Sequence, residues 1–569
     1  MSEQPRPEES VPMSASEDAG APSDDRDGTD GHQIEGSGGE LCVRALERFG
    51  VDTLFTLSGG HIFPIYDGVV KAGLRLVDTR HEQTATFAAE GYAKLTREPG
   101  VAVLTAGPGV TNGVSAVTTA HFNGSPLVVI GGRAPEARWG AGSLQEFDHV
   151  PVMAPVTKHA ETLRTTDSVF SGIDAAVTAA TTPSRGPAFV DVGMDVLFGH
   201  AEVTDTGPPE IAELEPDPAD LAAIADLLDN AERPVFVAGT GVYFETAWED
   251  MRHLVEAAQM PVFMNGLGRG TLPADHPLAF SRARSLALRE ADLVIVAGTP
   301  LDFRLGFGNF GSAQVVHVTD SPERLAGHVE LAASAAGGLG RAFAGIAGML
   351  RAQSDHSAWL SKLAADESAK READEALLTG DATPIHPARV YGALREVLDR
   401  DAVVICDGGD FVSYAGKYVD SYGPGLWLDP GPYGCLGTAL GYGIAARVAY
   451  PERQVVLLVG DGAFGFSGMD FDTLVRHRLP VVAICGNNGI WGLEKHPMQA
   501  LYGYDVAAEL QPECRYDKVV TALGGHGEFV TEPGEIRPAI ERAFASGLPA
   551  LVNVACDPSV AYPRSSNLA

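Results

Sequence analysis

Two short runs in the C-terminal part of the chain carry residue types suited to holding a metal-bridged diphosphate. One is Gly460-Asp461-Gly462, opening GDGAFGFSGMDFDTLVRHRLPVVAICGNNGIWG, and the other is Asn487-Asn488, with Asn488 lying 27 positions (488 − 461) after Asp461. An apolar run ends at Val459 and a second ends at the Asn pair, which puts both polar groups at strand ends. In doubly wound sheets ligands gather at the carboxyl ends of strands. Adjacent strand tips then offer a carboxylate and an amide oxygen, hard donors that Mg²⁺ accepts beside water and phosphate oxygens. The glycines flanking Asp461 let backbone N–H groups approach a diphosphate. Asp-Gly alone is an ordinary turn, and it is the apolar strand and Asn pair at this spacing that lift the signal. A further acid, Glu82, follows the apolar run 74–80 in DTRHEQTATFAAEG. By itself it is no more than a carboxylate favoured at a helix N-terminus.

These residues need a frame, and the chain supplies one. After Glu40, apolar runs alternate with helical stretches: a strand at 74–80, a helix at 81–96, a strand and Gly-rich turn at 100–109, a helix from Thr111, then strands in SPLVVIGG and at 186–192. The acidic, Pro-bearing stretch 203–220 reads as a linker. Four more strand-like runs follow (RPVFVAGTGV, MPVFMNGLGRG, ADLVIVAGTP, AQVVHVTD), closed by a charged helix at 361–378. After TGDATPIHP a third unit carries DAVVICDGGD, RQVVLLVGDG, LPVVAICGNN and LPALVNVAC, with a helix expected from near Ser467 to His477. Such alternation predicts an α/β chain of three doubly wound parallel-sheet domains, at 38–203, 214–355 and 385–555, with a C-terminal tail at 556–569.

Composition narrows the function. A chain of 569 residues exceeds one hydrophobic core. Its formal charge, 41 − 75 = −34, argues against nucleic acid or an anionic membrane surface as partner. Residues 1–37, rich in Glu, Asp, Ser, Pro and Gly, are expected to be a disordered acidic tail. No apolar run reaches the roughly 20 residues of a membrane span, and the start lacks the pattern of a secretory signal. Six scattered cysteines without metal spacing read as reduced packing residues, so a cytoplasmic protein is expected.

With Glu82, Asp461 and Asn488 in place, the chain from about residue 38 onward resembles the thiamine-diphosphate enzyme superfamily, in the branch of acetolactate synthase, oxalyl-CoA decarboxylase and 2-hydroxyacyl-CoA lyase. It is similar to actinobacterial members of that branch. The resemblance implies that the three domains bind the coenzyme pyrimidine, a nucleotide-like group and the coenzyme diphosphate. It implies thiamine diphosphate and Mg²⁺ as cofactors, with Asp461, Asn488 and the carbonyl of Ile490 as metal ligands. Gly409, Asp410, Phe411, Gly434, Gly460, Gly462 and Ala463 then contact the coenzyme, Leu436 wedges it into a bent shape, and Glu82 acts on its aminopyrimidine. Since Glu82 and the metal come from different subunits in the family, a homodimer with shared sites is implied, commonly paired into a homotetramer.

On the substrate side the same resemblance makes Gln145 a residue for a substrate oxygen and Glu494 an acid–base group, with Trp491, Leu493 and Met498 walling an apolar pocket. It also makes Arg564, in the tail, a contact for a CoA phosphate, the tail serving as an active-site lid. The stretch 268–308 looks like the CoA-lyase version of the central domain and lacks the Gly-Met-His-Gly element of FAD-binding synthases. FAD is therefore not expected. ADP is the nucleotide implied there, with Arg284 and Asp320 as its candidate contacts. The expected reaction is cleavage of a 2-hydroxyacyl-CoA to formyl-CoA and an aldehyde or ketone. Condensation of two pyruvates by an acetolactate synthase is the alternative, and oxalyl-CoA decarboxylation comes after it.

Overall fold

The computed structural model describes residues 31–211, 213–351 and 355–563. Three parallel sheets follow one another along the chain. The first runs in the order Arg75–Asp78, Thr53–Thr56, Gly100–Leu104, Leu127–Arg133, Ala188–Gly193, His159–Leu163. The second has five strands, Val262–Met264, Pro234–Ala238, Leu293–Ala297, Gln314–Thr319 and Ala333–Ala336. The third runs Trp427–Leu428, Val403–Asp407, Val455–Gly460, Val482–Asn487, Ala550–Ala555, His526–Val530. The expected three-domain α/β architecture is therefore what the chain adopts.

Both faces of the third sheet are covered, because alternate residues of each strand enter different apolar clusters. Val403, Ile405, Val455, Leu457 and Val459 point into one, and Val404, Cys406, Val456 and Leu458 into the other. The first of these clusters also contains Phe55, Ala102, Leu104, Val129 and Phe189 of the N-terminal sheet, so the outer domains of the chain share one core. The join is made by helix Glu82–Thr96 against helix Thr438–Ala449, where small residues (Ala85, Ala88, Ala89, Gly441, Ala445) let the backbones approach. A Cβ on Gly441 would fall 3.0 Å from the Ala88 nitrogen, which is why this position holds no side chain.

A polar knot lies inside that contact. Lys94 Nζ meets Glu90 Oε1 at 3.0 Å with both side chains almost wholly buried. Tyr442 Oη donates to Glu90 Oε2 at 2.8 Å, and Asn123 Nδ2 and Ser125 Oγ donate to Glu90 Oε1 at 2.8 and 3.1 Å. Every donor Glu90 needs is thus supplied from within the protein, the condition under which a buried charge is tolerated.

Two expectations require correction. The tail does not extend to residue 37: His32–Ser37 form a strand antiparallel to His200–Asp205, starting from His32 opposite Asp205. Ile34 packs with Ala201 and Val203 against the N-terminal core, and Ser37 caps helix Gly38–Glu47 through a reciprocal bond with Glu40, so one large apolar side chain and one cap suffice to order the segment. Residues 1–30 lie outside the described residues. The helix expected from near Ser467 instead begins at Asp461 and runs to Ser467, and a second covers Phe471–Arg476. The glycines of GDGAFGFSG do not delay it, because the first helical turn leaves its N–H groups free whatever side chains it carries.

Since Glu90 would be left buried without its cation, Lys94→Met should destabilise the chain by about 3–5 kcal/mol. Chemical denaturation with a fluorescence readout checks this. A midpoint unchanged from wild type would mean that the knot contributes nothing to the domain contact.

Candidate functional site

The carboxyl ends of the third sheet border a cavity of about 480 Å³. Its wall holds Gly409, Asp410, Phe411, Gly434, Leu436, Gly460, Asp461, Gly462, Ala463, Asn488 and Ile490, all the positions expected to meet the coenzyme except Glu82, and also Trp491, Leu493 and Glu494. The parallel register explains the gathering. Val459 pairs with Cys485 and Gly460 with Gly486, so Asp461 and Asn488 leave neighbouring strands on the same edge. Asp461 starts its helix as a buried carboxylate, with Oδ2 accepting the Gly489 N–H at 2.7 Å and Oδ1 its neighbour Gly462 N–H at 3.0 Å. Burial pushes its carboxyl up to about 6 against the pull of those backbone bonds. Asn488 Oδ1 accepts the Ile490 N–H at 3.2 Å.

The shape of this wall fits a diphosphate held through a divalent cation. A Cβ on Gly460 or Gly434 would meet no atom within 4 Å and would project into open space, so absent side chains keep the cradle clear. Gly409 and Gly462 are needed for a different reason: a Cβ there would come within 2.5 Å of Leu493 and 2.4 Å of Trp491. Among the hard oxygen donors of this wall, Asp461 and Asn488 stand on adjacent strand tips and offer a carboxylate and an amide oxygen of the kind Mg²⁺ accepts.

Two carboxylates outside the expected metal pair shape the wall. Asp407, at the tip of Val403–Asp407, accepts the N–H groups of Gly437 and Ala439, both at 3.0 Å, and so fixes the turn carrying Leu436. Burial raises its carboxyl to about 6. Sequence reasoning missed it, because it took only Gly409, Asp410 and Phe411 from this strand end and the turn that Asp407 holds lies 30 residues further on (437 − 407). Asp410 accepts the Tyr562 N–H at 3.0 Å, and Tyr414 packs edge-on against Tyr562 at 4.8 Å, so the C-terminal segment docks beside the cavity on helix Asp410–Tyr418. Arg564 lies outside the described residues. Met498 is carried further along helix Gly492–Tyr502 and is not in the cavity wall, because the residues that reach the cavity, Trp491 to Glu494, sit at the helix start.

Glu82 lies in the N-terminal domain and is not among the residues lining this cavity. It is buried, begins helix Glu82–Thr96, and accepts Asn112 Nδ2 at 3.0 Å on Oε2. Asn112 belongs to helix Pro108–Asn123, which follows the turn at Gly107. Gln145 is close to that turn: a Cβ on Gly107 would meet Gln145 Cβ at 3.0 Å. The N-terminal domain thus groups Glu82, Asn112 and Gln145 around one turn.

Arg284 and Asp320 are not brought together. Asp320 lines a cavity of about 100 Å³ with Thr240, Gly298, Arg304 and Arg324, at the carboxyl ends of the central strands. Arg284 lines a separate one with Arg269 and Phe280, donating to Asn265 Oδ1 at 2.7 Å and the Arg304 carbonyl at 3.3 Å. They part because Asp320 follows a strand end, whereas Arg284 opens helix Arg284–Glu290.

Comparison with known proteins agrees with this division. The profile for the thiamine pyrophosphate enzyme N-terminal TPP binding domain matches residues 36–152, the central domain profile matches 221–345, and the C-terminal TPP binding domain profile matches 407–554. A probable acetolactate synthase of Mycobacterium bovis is 56% identical over 538 residues, covering 93% of this chain and 98% of that protein. The 2-hydroxyacyl-CoA lyase 2 proteins of Caenorhabditis elegans and Homo sapiens are 33% and 32% identical, each over 91% of this chain and 89% of their own length.

Asp407 gives a pH test. Its folded value near 6 lies above the ordinary 3.8, so its ionisation opposes folding. That stability is present in full below the unfolded value and is lost as pH rises through about 6. The melting temperature of wild type minus that of Asp407→Asn should therefore grow as pH falls from neutrality to about 5. A difference that does not vary with pH would remove the assignment.

Proposed function

Because the chain belongs to the thiamine pyrophosphate enzyme family, we propose that it uses thiamine diphosphate and Mg²⁺ to join two 2-keto acids, pyruvate first, as an acetolactate synthase does. The observation that carries this reading is the 56% identity to a probable acetolactate synthase across 93% of the chain. It takes the place of the lyase reaction expected from sequence, whose relatives share about a third of positions.

In this reading Asp461, Asn488 and the Ile490 carbonyl hold the metal. The glycine-lined wall would take the diphosphate, and Leu436, pinned through Asp407, would pack against the coenzyme. When bound, the coenzyme supplies a stabilised carbanion equivalent next to a former carbonyl, which the protein alone cannot provide. Glu82, held by Asn112, keeps a proton at the aminopyrimidine. Trp491 and Leu493 exclude water from the reacting carbon, and Gln145 binds a substrate oxygen. Glu494, at the cavity rim, returns or removes a proton on the substrate.

Glu82 does not line the cavity of its own chain, so in this reading a second copy supplies it, and the working unit is a homodimer, paired further into a homotetramer. Exposed apolar side chains support this: Phe466 is 57% exposed beside Trp491 and Leu144 is 79% exposed beside Gln145. In the central domain, Asp320, Arg304, Arg324 and Arg185 gather at the strand ends, and ADP is proposed to lie over them, the acid toward ribose hydroxyls and the guanidinium groups, of which Arg304 and Arg185 are also held by Asp302 and Glu245, toward phosphate.

A second reading, 2-hydroxyacyl-CoA lyase, is kept for one reason: Glu494 puts an acid in a wall otherwise apolar at Trp491 and Leu493. It requires acyl-CoA as substrate.

Purified protein given thiamine diphosphate and Mg²⁺ should form acetolactate from pyruvate alone. Product from formyl-CoA and a ketone, with none from pyruvate, would reverse the order of the two readings. Glu82→Gln should retain the coenzyme by calorimetry yet lose about 10²-fold or more of turnover, and full activity would refute its role. Glu494→Ala should lower turnover by about tenfold or more with a smaller change in coenzyme affinity. Unchanged kinetics would return Glu494 to the solvated surface.

A further inference from the structure

Behind the Gly107 turn lies a chain of buried groups that the proposed chemistry does not use. Arg133 and Asp191 are 1% and 0% exposed as side chains, and Arg133 Nη1 donates to Asp191 Oδ2 at 3.2 Å. The same oxygen lies 2.8 Å from Nδ1 of His149, whose side chain is also fully buried. On the far side of the ring, His149 Nε2 accepts the Gly107 N–H at 2.9 Å. An acceptor at Nε2 requires that the ring proton sit on Nδ1, where the carboxylate takes it, so the two contacts define one tautomer. Arg133 is held from its other sides by Glu136 Oε1 at 2.9 Å and by the Trp139 ring at 3.5 Å.

Gly107 is the point at which this order matters. Its backbone, φ 60° and ψ −114°, is one that a side chain would strain, and it starts the helix that carries Asn112 to Glu82. Gln145, itself at φ 58°, abuts the same residue. A turn of this kind keeps its shape only when its surroundings determine it. Among the described residues, the one side-chain bond to the Gly107 amide comes from His149.

We propose that His149, oriented by Asp191 and Arg133, is a positioning residue: through the Gly107 amide it sets Glu82 and Gln145 for their work at the coenzyme. The part concerning the coenzyme rests on the function proposed above; the part concerning the turn does not.

The experiment has two arms. In the first, amide hydrogen exchange is followed by mass spectrometry on the full chain without added coenzyme. His149→Leu should raise exchange in segments 105–112 and 142–148 by about tenfold or more, leaving the third sheet unchanged. His149→Gln, which restores an acceptor, should return most of the protection. Asp191→Asn, whose amide oxygen is kept toward Arg133 and Nδ1 but no longer carries the charge that holds the imidazole, should reproduce part of the loss although His149 is intact. In the second arm, with thiamine diphosphate and Mg²⁺, exchange of the coenzyme C2 proton should slow by about tenfold or more in His149→Leu and Asp191→Asn while the coenzyme stays bound.

Unaltered exchange in both segments in both variants would overturn the proposal. So would loosening spread evenly through residues 100–193, since His149 would then only fill space. Wild type that takes up no coenzyme would defeat the functional reading, and the first arm would still decide the relay.

Discussion

Buried carboxylates that bind the backbone of a neighbouring loop hold this site together. Parallel strands deliver their carboxyl ends to one edge, but nothing in the sheet itself fixes the loops beyond that edge. Asp461 ties its own strand tip to the turn at Gly489, and Asp407 ties the adjacent strand to the turn at 437–439. Asp410 ties the helix beside them to the C-terminal segment. Each is a charge-assisted bond to an N–H, stronger than a neutral one. Burial that raises the carboxyls of Asp461 and Asp407 is the cost of using them inside the protein.

The N-terminal domain solves the same problem differently. Its Glu82 is met by an amide side chain, Asn112, and the turn before that helix is met by an imidazole backed by a second carboxylate. The two halves of the proposed site are therefore each rigid by their own means. In a single chain they join through the packing of helix Glu82–Thr96 on Thr438–Ala449, with Gln83 donating to the Leu436 carbonyl at 3.2 Å.

Much of this was readable beforehand where chemistry is local. Asp461 and Asn488 stand at strand ends that apolar runs announce, and the cavity wall follows from glycines beside them. Asp407 and Asn112 were not read, because their partners come from segments about 30 residues away and no local pattern marks them. Arg284 and Asp320 are paired only through the resemblance of the central domain to ADP-holding relatives, and the three-dimensional arrangement shows them facing different cavities. The strand at 32–37 was hidden because its pairing partner lies at 200–205 and its own composition is polar. The start of helix Asp461–Ser467 is obscured in the sequence because its glycines read as turn residues.

The shared core of the outer domains sets an order of events during synthesis. Helix Glu82–Thr96 leaves the ribosome long before its partner, since Thr438 lies 342 positions after Thr96 (438 − 96). At roughly 5–20 residues per second that interval lasts on the order of 20 to 70 s. Throughout it, the small apolar side chains and the Glu90–Lys94 pair face solvent or a chaperone. The nascent N-terminal domain must therefore wait, with its own sheet formed, for the last third of the chain before its hydrophobic surface is closed.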